Sequence, residues 1–272
     1  SGRKYDQERK KLDKMLTEKK ISVVINTYNA EQHLSAVLDS VRDFDEVLIC
    51  DMESTDRTLQ IAEQYGCRII TFPRGTYNIV EPARQFAIEQ ASHPWLLFVD
   101  ADELVSPALR DFLYAHIERE DAEEGVAIPR KNYFMGRFMH ACYPDYVLRF
   151  FRRDLTHWPA IIHASPVVKG RILRLPSQRR DLALEHLAND SVHALLHKHN
   201  IYSDNEVAKR SDKHYGLGAL LLRPSARFLR SYLLKGGFRD GIPGFIHAVT
   251  DAIYQFAIVA KILEARNQKS GK

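Results

Sequence analysis

Four short apolar runs, residues 21–25, 47–50, 68–72 and 95–99, recur along the first hundred residues with helical periodicity between them, near 30–42, 55–65 and 81–91. Strands this apolar are buried on both faces. Strand–helix–strand units at this spacing close as right-handed crossovers into a mostly parallel sheet with helices on both faces, so the fold class expected is α/β. Sheets of that kind bind ligands beyond the carboxyl ends of their strands. After Val99 the rhythm changes. Residues 107–120 read as a helix, 126–134 and 146–152 as strands, and 168–175 as a basic strand or loop carrying Lys169, Arg171 and Arg174. Residues 189–217 read as a helix, and Pro224 opens an all-helical extension.

Composition narrows the class of partner. With 45% apolar and 27% charged residues the 272-residue chain excludes a disordered tail or a fibre. A formal net charge of only +4 is too small for the diffuse basic coat of a nucleic-acid binder, so no nucleic-acid partner is expected and an anionic ligand must be met by local patches. Cys50, Cys67 and Cys142 form no C-x-x-C pair, which indicates neither a disulfide framework nor a zinc cluster and fits a reducing, cytoplasmic setting. No uninterrupted apolar stretch reaches the roughly 18 residues of a bilayer span, and the start lacks the pattern of a signal peptide. Residues 1–20 are dense in Lys and Arg and read as an exposed basic arm or helix.

Each strand end carries polar residues. The first runs into Asn26-Thr27-Tyr28-Asn29, the second into Asp51-Met52-Glu53-Ser54-Thr55-Asp56, and the fourth into Asp100-Ala101-Asp102-Glu103. Ser54 and Asp56 read most simply as caps of the following helix. Asp100 and Asp102 are harder to explain as solvated loop residues. Two carboxylates at i and i+2 after an apolar strand point to one side and repel, and a hard divalent cation such as Mg²⁺ or Mn²⁺, shared with substrate phosphate, relieves that repulsion.

Val23-Val24-Ile25-Asn26-Thr27-Tyr28-Asn29, then Asp51 with Ser54-Thr55-Asp56-Arg57-Thr58, then Pro82-Ala83-Arg84-Gln85, then Phe98-Val99-Asp100-Ala101-Asp102-Glu103 occur in one order within residues 21–105. This combination resembles the nucleotide-sugar half of a family 2 glycosyltransferase with the GT-A, Rossmann-like fold. More loosely, Arg149-Phe150-Phe151-Arg152-Arg153, Asn200-Ile201-Tyr202-Ser203 and Gly236-Gly237-Phe238-Arg239-Asp240-Gly241 resemble the branch of lipopolysaccharide-core β-1,4-glucosyltransferases. The resemblance implies a GT-A catalytic domain over 21–188, with a nucleotide-sugar half at 21–105 and an acceptor half at 106–188, and a helical extension over 189–272. It implies that Thr27, Tyr28 and Asn29 line the base pocket, that Asp51 hydrogen-bonds the uracil ring, that Arg84 lies near base or pyrophosphate, that Asp100 lies near ribose or metal, and that Asp102 is the metal ligand. His186 matches a histidine of the relatives that completes the metal shell, against the alternative of a satisfied structural histidine. Gln85 stands where asparagine is usual.

The general base departs from the pattern. An inverting transferase needs a group to take the acceptor's proton. Where the branch shows His-Glu, this chain reads His163-Ala164, which leaves His163 and Asp145 as candidates. His193, His197 and His199 sit at helical spacing without a complete ligand set and read as a wet helix face.

From Arg223 onward nine basic residues face three acidic ones, and Ile242, Phe245, Ile246, Val249, Ile253, Phe256, Val259 and Leu263 recur at helical spacing. An apolar face with a basic flank suits an anionic membrane surface, with packing on the sheet domain or on a second subunit as the alternative. The reading that unites these features is an inverting, metal-dependent hexosyltransferase. It would move a sugar, glucose by the resemblance, from a UDP-sugar donor to a lipid-linked saccharide such as lipopolysaccharide core, peripherally on the inner face of the cytoplasmic membrane. A non-catalytic nucleotide-sugar binding or scaffolding protein of the same fold is the alternative.

Overall fold

A computed structural model describes residues 19–75, 80–161, 164–187, 191–210, 213 and 215–270. The chain divides into two compact units, one of residues 1–130 and 145–186 and the other of residues 131–144 and 187–272.

The first unit is built on a twisted sheet whose leading strands are β1 (Ile21–Thr27), β2 (Glu46–Asp51), β3 (Arg68–Thr71) and β4 (Trp95–Asp100). They lie parallel in the order β3-β2-β1-β4. Helices α1 (Leu34–Val41), α2 (Thr58–Gln64) and α3 (Glu81–Gln90) make the crossovers. The alternation of side chains along β1 decides which helix covers which face. Ile21, Val23 and Ile25 pack with Leu34, Val37, Leu38 and Val41 of α1, whereas Val24 packs with Ala83 and Ala87 of α3. The i, i+3, i+4, i+7 spacing of the four α1 residues is what lets that helix close one face.

β5 (Glu103–Leu104) follows directly, and α4 (Pro107–Ile117) begins at Pro107 with Ser106 accepting a hydrogen bond from the Leu109 amide at 3.0 Å. β6 (Gly125–Phe134), β7 (Arg137–Phe138), β8 (Asp145–Arg152), β9 (Thr156–His157), β10 (Val167–Val168), β11 (Ile172–Arg174) and β12 (Leu184–His186) complete the strands. β8 pairs antiparallel with β4, the sheet continues β8-β6-β12-β5, and β11 adds to β6 in parallel. The basic strand or loop expected over 168–175 is two short strands, β10 and β11, parted at Gly170, whose φ of 140° no L side chain adopts readily.

In the second unit the β6–β7 turn packs Phe134 and Met139 with Leu195 of α5 (Val192–Lys209). α6 (Ala219–Leu229) begins five residues before Pro224, which the helix accommodates within its first turns. A π-helical stretch, Arg230–Leu234, and a short turn lead into α7 (Gly241–Ser270). The corner demands glycine: a Cβ on Gly244 would stand 2.0 Å from the Gly237 carbonyl oxygen. Of the basic arm expected at 1–20, residues 1–18 lie outside the described residues.

Candidate active site

The register of the parallel strands brings three polar ends together. Asn26 lies opposite both Cys50 and Asp100, and Thr27 opposite Asp51. Asp51 ends β2 and Asp100 ends β4, so the two residues flank the carboxyl end of β1, one register step apart.

Two loops meet there. Asn29 adopts a left-handed conformation (φ 50°), and its amide oxygen accepts from the Thr55 backbone N–H at 2.8 Å while its own N–H donates to Ser54 Oγ at 2.9 Å. The Ala30 amide donates to Thr58 Oγ1 at 2.8 Å, and Asp56 accepts from the Thr58 and Glu31 amides. Asp56 thus caps the start of α2, whereas Ser54 ties the two loops together. Asp51 is buried, with Thr27 Oγ1 (2.8 Å), Ser54 Oγ (2.6 Å) and the Ser54 amide (2.9 Å) donating to its two oxygens. Tyr28 is exposed, and the Arg74 guanidinium lies 3.8 Å from its ring centroid. Arg74 carried no signal in the sequence, because nothing in its neighbourhood ties it to Tyr28.

Beyond β4 the site is a chain of alternating charges. Arg84 donates to Asp100 Oδ1 at 2.8 Å, and Arg149 grips Asp100 Oδ2. Glu103, fully buried, accepts from the Asp100 amide and from Arg130, each at 3.0 Å, and lies 3.5 Å from Arg149. Arg130 also donates through Nε and Nη2 to Asp145 Oδ2, at 2.9 and 2.7 Å. Burial alone would raise the pKa of Asp100, but Arg149, Arg84 and Arg130 outweigh it and hold the carboxyl well below its usual range. For Arg149 burial pulls down and Asp100 and Glu103 win, so the guanidinium stays charged. Arg84 responds the other way: burial lowers its pKa despite Asp100, and its Nε is buried without a partner among the described residues. That orphaned donor beside Asp100 is suited to an incoming anion. The Arg84 guanidinium lies 4.6 Å from the Trp158 ring, and Gln85 accepts from the Trp158 amide at 2.8 Å. Gln85 therefore has a structural duty of its own.

Asp102 stands apart from this chain. Its carboxylate oxygen is 3.6 Å from Nε2 of His186, which β12 places opposite Glu103. One oxygen and one imidazole donor suit Mn²⁺ or Mg²⁺ in part. Among the described residues no cluster of three His, Cys, Asp or Glu side chains could hold a metal alone, so the remaining ligands would come from a bound diphosphate and water. Of the residues read from the sequence, Thr27, Asn29 and Asp51 share the first cluster, Arg84 and Asp100 the second, and Asp102 and His186 a third. Asp145 is engaged by Arg130, and His163 lies outside the described residues. Ala164, where the relatives' glutamate would stand, accepts from Trp158 Nε1 through its carbonyl at 2.9 Å. Glu103 and Arg149 stand in motifs read from the sequence without a role assigned, and Arg130 stands in none; an ionisable residue in a strand of the sheet is the signal that finds all three.

Known proteins resemble the chain in sequence and in fold. The chain is 29% identical over 267 residues to the lipopolysaccharide core biosynthesis glycosyltransferase LpsC of Rhizobium meliloti, covering 94% of this chain and 96% of that one. It is 27% identical over 272 residues to an uncharacterised glycosyltransferase, RC0292, of Rickettsia conorii, covering 93% of each. In structure it is similar to the mannosyltransferase PcManGT of Pyrobaculum calidifontis, solved with GDP-Man and Mn²⁺, at a TM-score of 0.54 with 15% identity over 90% of this chain and 87% of that one. That likeness establishes the GT-A fold. The profile of glycosyl transferase family 2 matches residues 22–172, and the chain belongs to that family.

Proposed function

We propose that the protein is an inverting, metal-dependent hexosyltransferase that moves a sugar, glucose in our reading, from a UDP-sugar to a lipid-linked saccharide such as lipopolysaccharide core, working peripherally on the inner face of the cytoplasmic membrane. The observation that carries the reading is the meeting of the Thr27, Asp51 and Asp100 strand ends at the carboxyl end of the sheet, with Arg84 on Asp100 and the Asp102–His186 pair just after β4. The core biosynthesis role of LpsC supports the acceptor, and the nucleotide sugar and Mn²⁺ bound by PcManGT support the donor chemistry.

In this reading Thr27, Tyr28 and Asn29 form the base pocket. Tyr28 offers a stacking face, and Asp51 holds Thr27 and Ser54 in place at the base edge. Asp100 lies towards the ribose, balanced by Arg149. Asp102 and His186 would hold a divalent cation, which when bound polarises the diphosphate leaving group. An acceptor hydroxyl attacks the anomeric carbon as the bond to the diphosphate breaks. Its proton passes to a base, for which Asp145 and His163 are the candidates, and the charge on the departing UDP is met by Arg84. Asp145 already accepts two N–H bonds from Arg130, so it takes this role only if acceptor binding rearranges that pair.

The test is UDP release from UDP-glucose in the presence of lipid-linked saccharide, with and without Mn²⁺. Turnover that depends on both donor and metal supports the reading, and turnover unchanged in Asp102→Ala overturns the metal assignment. Ala164 in the glutamate's place favours a second reading, a nucleotide-sugar binding protein without turnover. Tight UDP binding with no transfer to any acceptor would select it.

A further inference from the structure

The second unit buries polar groups beside its apolar core and leaves many large apolar side chains on its outer face. Along α7 the polar residues turn inward. Asp251 is buried and pairs with Arg227 of α6 at 3.3 Å, His247 Nδ1 and Gln255 Nε2 are buried without partners among the described residues, and Lys261 is bound by Asn200, Ser203 and Asp204 of α5. Ala248, Ile258, Val259 and Ile262 of α7 are buried, but Leu221 and Leu222 of α6, Leu234 of the π-helical stretch and Ile242 of α7 are each more than 70% exposed, and Phe245 and Phe256 nearly half. A contiguous run of exposed large apolar side chains of this kind marks an interaction surface. Between α6 and α7 lies an apolar groove of about 400 Å³, lined by Pro224, Phe228, Leu229, Val249, Ile253 and Phe256.

Charge identifies what covers the face. From Tyr215 to Arg239 the chain has five basic residues and no acidic one. Arg223, Arg230, Lys235 and Arg239 are exposed and interleave with the exposed leucines. Arg230, Lys235 and Arg239 have no carboxylate partner among the described residues, in contrast to Arg57, Arg68 and Arg110 of the first unit, which are all paired. Apolar side chains ringed by unpaired cations fit a surface that is negative at its rim and hydrocarbon within, which is an anionic lipid leaflet. A second copy of this chain would bring the same cations against each other.

Residues Gly237–Gln268 are also long and apolar enough to cross a bilayer, with a mean hydropathy of 1.3 and a third of the window buried. The inward stripe of His247, Asp251 and Gln255 packed against α5 and α6 instead favours a helix lying along the interface. We propose that the outer face of α6, the π-helical turn and α7 is a docking surface for an anionic lipid leaflet, which α7 lies along and does not span. The proposal deepens the membrane part of the function above and rests on that reading only for its purpose.

The experiment is flotation of the full chain with vesicles of phosphatidylcholine containing 30% phosphatidylglycerol, and with phosphatidylcholine alone. Each cation at the surface contributes roughly fivefold. Capture at least tenfold greater on the anionic vesicles, weakened by high salt and reversed by carbonate, is expected. Leu222→Glu with Leu234→Glu should lower it at least tenfold while leaving the helical signal and UDP affinity unchanged. Absence of capture, equal capture on both vesicles, or capture that survives both variants overturns the proposal. Carbonate-resistant association overturns it in favour of a span. A dimer in solution that the same variants dissociate, without vesicle capture, overturns it in favour of a second copy. Loss of sugar transfer with flotation intact bears on the proposed function alone.

Discussion

The carboxylate of Asp102 lies 3.6 Å from Nε2 of His186, while Asp100, two residues earlier, is held by arginines. The two aspartates of the D-x-D pair therefore have different surroundings: Asp100 is paired with Arg84 and Arg149, and Asp102 faces an imidazole.

Asp102→Ala should lower metal-dependent UDP release by at least 10²-fold with little change in thermal midpoint, and His186→Ala should raise the Mn²⁺ concentration needed for half-maximal activity by about tenfold. A Mn²⁺ titration of steady-state rates reads both. Equal rates in all three proteins would remove the metal from this pair.

Glu103 balances Arg130 and Arg149 and binds the Asp100 amide without any exposure of its own. Glu103→Gln leaves two buried guanidiniums short of a counter-charge, and a loss of about 3 kcal/mol of stability is expected. Urea unfolding with an unchanged slope measures it.

Acid should loosen the second unit, where burial holds two histidines below 6.5, more than the first, where it holds one, His93. Burial holds His199 and His247 below the ordinary 6.5, so the unfolded chain takes up protons that the folded chain resists. Their sign is fixed by that difference: stability is full above pH 6.5 and falls as the pH drops below it. Glu46 is shifted in the same direction, but in a more acidic window. Burial would raise it, but Ser22, Ser92 and Arg68 bring it from 4.5 to about 2, so its contribution is complete above pH 4.5 and disappears only towards pH 2. Hydrogen exchange at pH 7.5 and 5.5 should show the second unit losing protection first. Protection lost first in β1 and β2 would contradict this order.

Asp240 is buried and accepts from the His140 amide (2.9 Å), the Ala141 amide (3.1 Å) and His140 Nδ1 (2.5 Å). Asp240→Ala strands three donors at once, and a loss of about 3 kcal/mol is expected, confined to the second unit. Limited proteolysis within residues 131–144 gives the readout.

The parallel sheet was legible because each of its strands is apolar on both faces, a pattern with few rival interpretations. The D-x-D pair was legible because its carboxylates follow such a strand. The pairing of Asp100 was not, since Arg84 reaches it across 16 residues and Arg149 across 49, and only the folded register brings them together. The split of 168–175 was hidden because a backbone at φ 140° leaves no side-chain trace other than a glycine. The extension read as helical correctly, yet Pro224 suggested a start where the helix had already begun. Periodicity alone shows that α7 has an apolar stripe. That part of the stripe stays exposed depends on what α5 and α6 leave uncovered.

Residues 131–144 leave the first unit and belong to the second, so the polypeptide passes between the two three times, after Arg130, after Pro144 and after His186. A truncation at His186 would deprive Phe134 and Met139 of Leu195, Val192 and Ile246. Such a fragment would carry a greasy, unanchored excursion in the middle of its sequence. An expression design that aims at a minimal catalytic piece must therefore excise or bridge that excursion as well as shorten the C-terminus.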